Sequence, residues 1–284
     1  MAMPTPVEDE ILGRKLFGDR FSSDEIRQWY EVEVGGFFDL LTNHYKITDE
    51  ENQYEYEYVA LNHFHALDTL LKRQFDTCVA LGCAAGDDIA PLAPVIKKFF
   101  AIEPAEKWWR SEIGGKPAVY LKPSPLGDVA LDTGSVDLVT SFGVLHHIPN
   151  VSHVVSEIAR VLAPGGIFVV REPITSMGDW TKPRQGLTAN ERGLPLAWFE
   201  QLVTTTGFKI VRRHTCMFNP LLSVCKRGGI STPLSRKSIV VLDWLFSMAL
   251  QWNMHYWRNS FLKKLAPSSA FWILQRTGEI PSVV

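Results

Sequence analysis

The stretch Val79-Ala80-Leu81-Gly82-Cys83-Ala84-Ala85-Gly86-Asp87-Asp88 ends an apolar run in a turn made of small residues. Gly82 and Gly86, with Cys83 and Ala84 between them, leave little side chain over the backbone. A ligand can therefore lie against bare amides where a helix begins, which makes this a nucleotide-type site. Cys83 reads as a small residue that fits the turn, with a reactive thiol as the alternative. Glu103 ends the next apolar run, Phe99-Phe100-Ala101-Ile102. That is about 20 residues beyond the glycines, where the acid of a βαβ unit holds the two hydroxyls of a ribose. His146 and His147 leave the run Val136–Ser141, and Arg171 and Glu172 leave the run Ile167–Val170. An imidazole titrates near neutrality and can take a proton from a hydroxyl; the same pair can instead brace its loop. Tyr54, Tyr56, Tyr58, His63 and His65 form a second cluster. They could roof a site and contact an acceptor, or form an aromatic seam. Two histidines at i, i+2 on a helix diverge, so no metal centre is expected.

The elements that must position these groups alternate. Ser22-Ser23-Asp24-Glu25 has the S-x-x-E form of a capping box ahead of Ile26, Trp29, Tyr30 and Val34, which predicts an N-terminal helix. Tyr54–Tyr58 is expected to be a short edge strand or an ordered loop, leading to a helix with Leu61, Phe64, Leu67, Leu70 and Leu71 on its apolar face. After the first strand, from Thr77, come a helix over Ile89, Leu92 and Val95, the strand Phe99–Ile102, a helix over Ala105–Glu112 and strands at Ala118–Leu121 and Val136–Ser141. The helix Val151–Leu162 stops at Ala163-Pro164-Gly165-Gly166 before the strand Ile167–Val170. A helix at Leu196–Thr206 and a strand at Phe208–Thr215 follow. Strand alternating with helix argues for a parallel sheet with right-handed crossovers.

Composition narrows the class. The chain has 284 residues and a net charge of −2, so it can bury one large α/β core and shows no electrostatic footprint for nucleic acid. Met1–Asp9 lacks the cationic start and apolar core of a secretory signal, and four cysteines without C-x-x-C spacing read as reduced thiols. A cytoplasmic protein is expected.

The ordered set Leu81–Gly86, Ile102-Glu103-Pro104, Val136–Val139, Leu145-His146-His147-Ile148 and Arg160-Val161-Leu162-Ala163-Pro164-Gly165-Gly166 resembles the class I S-adenosylmethionine-dependent methyltransferases of small-molecule type. The resemblance implies a doubly wound, mostly parallel seven-stranded α/β sheet (Rossmann-like), with the last strand, Phe271–Arg276, antiparallel between the fifth and sixth. It implies that Gly82, Cys83, Ala84 and Gly86 lie along the cofactor, that Glu103 binds its ribose and that Pro104 lies near its adenine. Leu126 and Gly127 fall in the adenine loop, and Phe142 and Gly143 flank the methionine end. Ala80 stands where the family commonly has an acid for the cofactor's ammonium group; Asp87 or Asp88 is the nearest substitute. The implied reaction is methyl transfer to a small hydroxylated or amine-bearing metabolite, a sugar or natural-product intermediate among them. His146, His147 and Glu172 are the candidate bases, and Tyr54, Tyr58, His63 and Arg171 the candidate acceptor contacts. Two other readings are a catalytically silent S-adenosylmethionine-binding module and a nicotinamide-dependent oxidoreductase. The expected organisation is a helical cap (1–75), the methyltransferase core (76–217), a helical insertion (218–269), and the last core strand with a tail (270–284). The insertion is expected to act as a lid over the acceptor first, a homodimer contact second and a membrane-surface segment third. No integral membrane span is expected.

Overall fold

The structure is a computed structural model and describes residues 4–39 and 57–278. The strands are β1 (Phe75–Leu81), β2 (Ile96–Ile102), β3 (Glu112–Ile113), β4 (Lys116–Leu121), β5 (Val136–Phe142), β6 (Leu162–Pro173), β7 (Phe208–Cys216) and β8 (Ser269–Arg276). They form one sheet in the order β3-β4-β2-β1-β5-β6-β8-β7. The five strands β4, β2, β1, β5 and β6 run parallel, and β8 runs antiparallel between β6 and β7. This is the arrangement expected of the last strand. The sheet has eight strands where seven were expected, because the two-residue β3 adds an antiparallel edge to β4.

The helices are α1 (Glu8–Ile11), α2 (Ser23–Asp39), α3 (Val59–Asn62), α4 (Asp68–Leu70), α5 (Val151–Val161), α6 (Leu196–Thr205), α7 (Asn219–Arg227) and α8 (Lys237–Ala249). A π-turn at His63–Leu67 joins α3 to α4 in the segment expected to be one helix. Alternation along β1 sends Val79 and Leu81 to the layer of α5 and α6, and Cys78 and Ala80 to the layer of α3, α7 and α8. Both faces are therefore buried, as a parallel sheet requires. No helix among the described residues is long and apolar enough to cross a membrane.

Three expectations are corrected. The segment after β1 is a 3-10 helix, Ala90–Val95, because Pro94 has no N–H to return to Ala90 and an α-helix cannot form across it. Ala105–Glu112 is not a helix. It is a single turn, Glu106–Trp108, followed by a tight hairpin in which Gly114 and Gly115 both take positive φ (58° and 75°) between β3 and β4. The Ala163–Gly166 segment does not end α5 with a loop but lies within β6, directly after the helix. Tyr54 and Tyr56 lie outside the described residues.

The N-terminal segment is tied to the sheet's far side by polar contacts. Asp19 accepts from the Ser152 amide (2.8 Å) and hydroxyl (2.5 Å) at the start of α5. The capping box of α2 forms as expected, with the Ser22 amide donating to Glu25 Oε2 at 2.7 Å and the Glu25 amide donating to Ser22 Oγ at 3.4 Å. Ser22→Ala should lower stability by about 1 kcal/mol, the ordinary value of an N-cap hydroxyl, read as a reduced urea midpoint with an unchanged slope.

Candidate active site

A cavity opens at the C-terminal edge of β1, β2, β4 and β5, where parallel sheets bind their ligands, and α2 is its roof. Its floor starts at Gly82, held at φ 56°, where an added Cβ would come within 2.7 Å of Val144. Ala84 takes a left-handed φ of 47°, unusual outside glycine, and two contacts hold it there. Its amide donates to Glu103 Oε2 at 3.0 Å and its carbonyl accepts the Tyr120 hydroxyl at 2.9 Å. The other Glu103 oxygen accepts the Ala105 amide at 2.9 Å. Burial pushes the Glu103 carboxyl above its ordinary value, while these two amides oppose the shift.

The same cavity has an apolar wall of Ile102, Pro104, Pro125, Val129 and Val154, with Gly127 and Asp128 at its rim. This donor set fits an adenosine. The apolar wall suits a purine, and each Glu103 oxygen keeps a second lone pair for one ribose hydroxyl. Gly143 closes the far end with φ 79°, where an added Cβ would stand in ordinary contact with Arg171 and His146, each at 3.8 Å.

His147 lines the cavity, about a quarter exposed, and its Nδ1 lies 2.9 Å from Glu33 Oε2 on the roof helix. Burial would lower the His147 pKa, but the Glu33 hydrogen bond and the charges of Glu191, Glu33 and Glu172 outweigh it and raise it above the ordinary value. Glu33 is shifted the opposite way. Desolvation raises it, yet His147, Thr188 and the Asn190 amide hold it ionised, with Thr188 Oγ1 at 2.5 Å and the Asn190 amide at 2.9 Å. An ionised carboxylate only accepts, so Nδ1–H donates to Glu33 and Nε2 is the nitrogen left toward the cavity.

His146 differs from its neighbour. It is buried, its Nδ1 lies 2.7 Å from Glu172 Oε2, and desolvation together with the nearby His147 lowers its pKa. The second Glu172 oxygen accepts the amides of Val144 and Leu145 at 2.8 Å each. Glu172, 1% exposed, thus holds the loop in shape and is not among the residues lining the cavity. Donor atoms of His146, His147 and Glu191 lie within 4.8 Å of one another. Each of the two histidines turns its Nδ1 to a carboxylate, Glu172 for His146 and Glu33 for His147.

The other expected residues divide. Pro104, Gly82, Gly127 and Gly143 line the cavity with Glu103 and His147. Leu126 and Phe142 lie behind it; the Leu126 carbonyl accepts the Asn150 side chain at 2.7 Å, and Phe142 packs on Phe271. Cys83 is buried, and burial with the Asp88 charge pushes its thiol well above the ordinary range, so it is a packing residue and not a nucleophile. Gly86 packs against Ile113. Arg171 is buried, donates to Asn62 Oδ1 at 2.9 Å and stacks on Tyr58 with its guanidinium carbon 4.0 Å from the ring centre. His63 points elsewhere, to Asp68 at 2.9 Å, and the acceptor candidate Tyr54 lies outside the described residues. Asp88 is buried with Oδ1 unpartnered, its carboxyl pushed up to about 7 by desolvation against the pull of Arg171. No residue of 218–269 lines the cavity; the insertion packs on β7 and α3 instead, so it is not this cavity's lid.

Sequence reasoning missed the roof. Trp29, Tyr30, Glu33 and Val34 all line the cavity, and Trp29 anchors them by donating from Nε1 to the His147 carbonyl at 2.7 Å. Burial and the Glu103 charge raise the Tyr30 hydroxyl pKa. It also missed Arg192, fully buried, whose guanidinium donates to the carbonyls of Phe17, His146, Ile148 and Pro149. The signal for the roof was present as the i, i+1, i+4, i+5 spacing after the capping box.

Residues 79–170 match the family profile described as "Methyltransferase domain". A Mycolicibacterium smegmatis protein named "Probable S-adenosylmethionine-dependent methyltransferase" is 30% identical over 131 residues, 45% of this chain and 50% of its own length. A 37.1 kDa protein from a Streptomyces fradiae transposon is 29% identical over 120 residues, 40% of this chain and 33% of its own. The chain therefore spans half or less of the curated relatives it matches. Among solved structures, the YcgJ protein of Bacillus subtilis superposes with a TM-score of 0.50 at 16% identity, over 76% of this chain and all of its own. The cyclase SpnF superposes with a TM-score of 0.52 at 12% identity, over 90% of this chain and 97% of its own. These last two likenesses speak for the fold alone. Residues 79–170 thus match a methyltransferase domain, one curated relative is named a probable S-adenosylmethionine-dependent methyltransferase, and β8 lies antiparallel between β6 and β7 as that resemblance implies.

Proposed function

We propose that the protein is an enzyme that transfers a methyl group from S-adenosylmethionine to a small acceptor bearing a hydroxyl or an amine, in the cytoplasm. The observation that carries this reading is one cavity that has both Glu103 in its wall and the His147–Glu33 pair under α2. The bound cofactor supplies an electrophilic methyl on a sulfonium. Ile102, Pro104, Val129 and Val154 hold the adenine side, and Glu103 orients the ribose. Gly82 and Gly143 leave room for the amino-acid end. The roof residues Trp29, Tyr30 and Val34 exclude water, which helps an in-line displacement by removing the competing nucleophile. His147 Nε2 takes the acceptor's proton while Nδ1–H stays on Glu33, whose charge stabilises the imidazolium that forms.

The raised His147 pKa sets the direction of the pH dependence. The free base exists only above that value, so transfer to a hydroxyl should climb with pH through an inflection above about 6.5 and then level off. Glu33→Gln removes the group that raises the pKa, and the inflection should move down. A flat profile in the wild-type protein would remove His147 from the proton transfer.

The activity itself is tested by following S-adenosylhomocysteine release against panels of sugars, phenols and amines. Acceptor-dependent release above the no-acceptor background is expected from at least one panel. Binding of S-adenosylmethionine without release in any panel would turn the reading into that of a binding module.

A further inference from the structure

Helix α8 buries Ile239 and Val240 at its start, but further along it buries polar residues and exposes apolar ones. Its polar residues Asp243 and Ser247 are fully buried, with Asp243 accepting the amides of Met217 (2.8 Å) and Phe218 (2.6 Å). The face turned away from the protein carries Leu242, Leu245, Phe246 and Met248, each 44–47% exposed. Their spacing of three and four residues makes one continuous apolar stripe. The stripe runs on into two 3-10 turns, Gln251–Asn253 and Leu262–Lys264. Asn253 clips these turns together by donating to the carbonyls of Leu262 (2.8 Å) and Leu265 (3.1 Å). At their tips Trp252, Phe261 and Leu262 are 79%, 75% and 70% exposed, the three most exposed large apolar side chains among the described residues.

The charge that this segment itself contributes is almost all of one sign, and Lys226 within it pairs with Glu57 at 3.1 Å. Between Phe218 and Ser269 the sequence has seven lysines and arginines and a single acid, the buried Asp243, in a chain whose overall charge is −2. Lys263 and Lys264 stand beside the protruding tips, and Arg236 and Lys237 begin α8 at the other end of the stripe.

We propose that the face formed by α8 and these two turns docks on an anionic lipid bilayer, with Trp252, Phe261 and Leu262 entering the headgroup layer and Lys263 and Lys264 against lipid phosphates. Aromatic and leucine side chains flanked by lysine are what an interface of this kind binds: the rings and branches enter the acyl boundary while the ammonium groups stay at the phosphates. A second copy of the chain fits less well. A two-fold contact would set this cationic face against itself with no accessible acid between 218 and 269 to meet it. The turns lie just before β8, whose first residue pairs with Pro173 at the end of β6, so docking here brings the cavity's end of the sheet toward the bilayer.

The test is cosedimentation of the full chain with phosphatidylcholine vesicles and with phosphatidylcholine vesicles containing phosphatidylglycerol. Binding to the anionic vesicles, weakening as salt rises, is expected, with little on the neutral ones. Trp252→Ser combined with Phe261→Ser should cut anionic-vesicle binding by about tenfold or more with the melting temperature unchanged, since both side chains are exposed. Lys263→Gln with Lys264→Gln should remove the preference for anionic lipid. Absence of binding to either vesicle, or binding by the Ser variant equal to wild type, would overturn the proposal. So would a wild-type dimer that Trp252→Ser dissociates and that ignores vesicles, which would assign the face to self-association.

Discussion

His147→Gln should lower methyl transfer to a hydroxyl acceptor by about 100-fold or more, the usual contribution of a positioned general base, while leaving affinity for S-adenosylmethionine within about twofold. The expectation follows from the asymmetry between the adjacent histidines. His147 faces the cavity with a raised pKa and one ring nitrogen committed to Glu33. His146 is buried with a lowered pKa and is braced by Glu172, which also holds two loop amides. His146→Gln should therefore act differently, loosening the loop and weakening cofactor binding and turnover together. Equal turnover in wild type and His147→Gln, measured at a pH well above the wild-type inflection, would mean that the acceptor's proton leaves by another route. For an amine acceptor that is already a free base, the loss should be much smaller, so the size of the effect also reports the acceptor's chemistry.

The largest effect on stability is expected at a residue that touches no ligand. Arg192→Leu should cost about 3–5 kcal/mol, a large fraction of a typical domain's stability. The guanidinium is fully buried, and its removal leaves the carbonyls of Phe17, His146, Ile148 and Pro149 without their donor. It also packs on Trp29, 4.9 Å from the ring centre, so the roof helix and the loop carrying His146 and His147 lose one shared anchor. Urea unfolding of the two proteins gives the difference directly. A change of under about 1 kcal/mol would mean that water or a shifted loop satisfies those carbonyls and that Arg192 is not the pin proposed.

What the sequence made legible was local. The turn from Gly82 to Gly86, the acid at Glu103 and the capping box at Ser22 are readable because each depends on residues within a few positions, or on one crossover of familiar length. The antiparallel β8 was legible only through the family resemblance, since nothing in Phe271–Arg276 itself states which strands it joins. The helix expected at Ala105–Glu112 does not form because the Gly114-Gly115 pair that follows fixes a hairpin, which draws Glu112 and Ile113 into an edge strand. The roof was hidden for another reason. Trp29, Tyr30, Glu33 and Val34 look like any helix packing on a core, and their place over the cavity depends on distant partners: His147, Thr188 and Asn190. The lid expected of the insertion rests on a connection that starts near the ligand-binding edge of the sheet, and on its aromatic content. The structure spends Tyr256 and Trp257 on a strap near Gly193 and Trp180, behind the roof residue Trp29 and outside the residues that line the cavity, and turns Trp252 to the surface.

The measurement closest to the central claim is a calorimetric titration of S-adenosylmethionine into the wild-type protein and into Glu103→Ala, with NADH as the comparison ligand. The account predicts saturable one-to-one binding of S-adenosylmethionine, no saturable binding of NADH, and an affinity for the folded Glu103→Ala variant lower by about 1–3 kcal/mol, or roughly 5- to 150-fold. Wild-type protein that binds no S-adenosylmethionine, or a folded Glu103→Ala variant that binds it as tightly as wild type, would contradict the assignment of the cavity beneath α2 as the cofactor site.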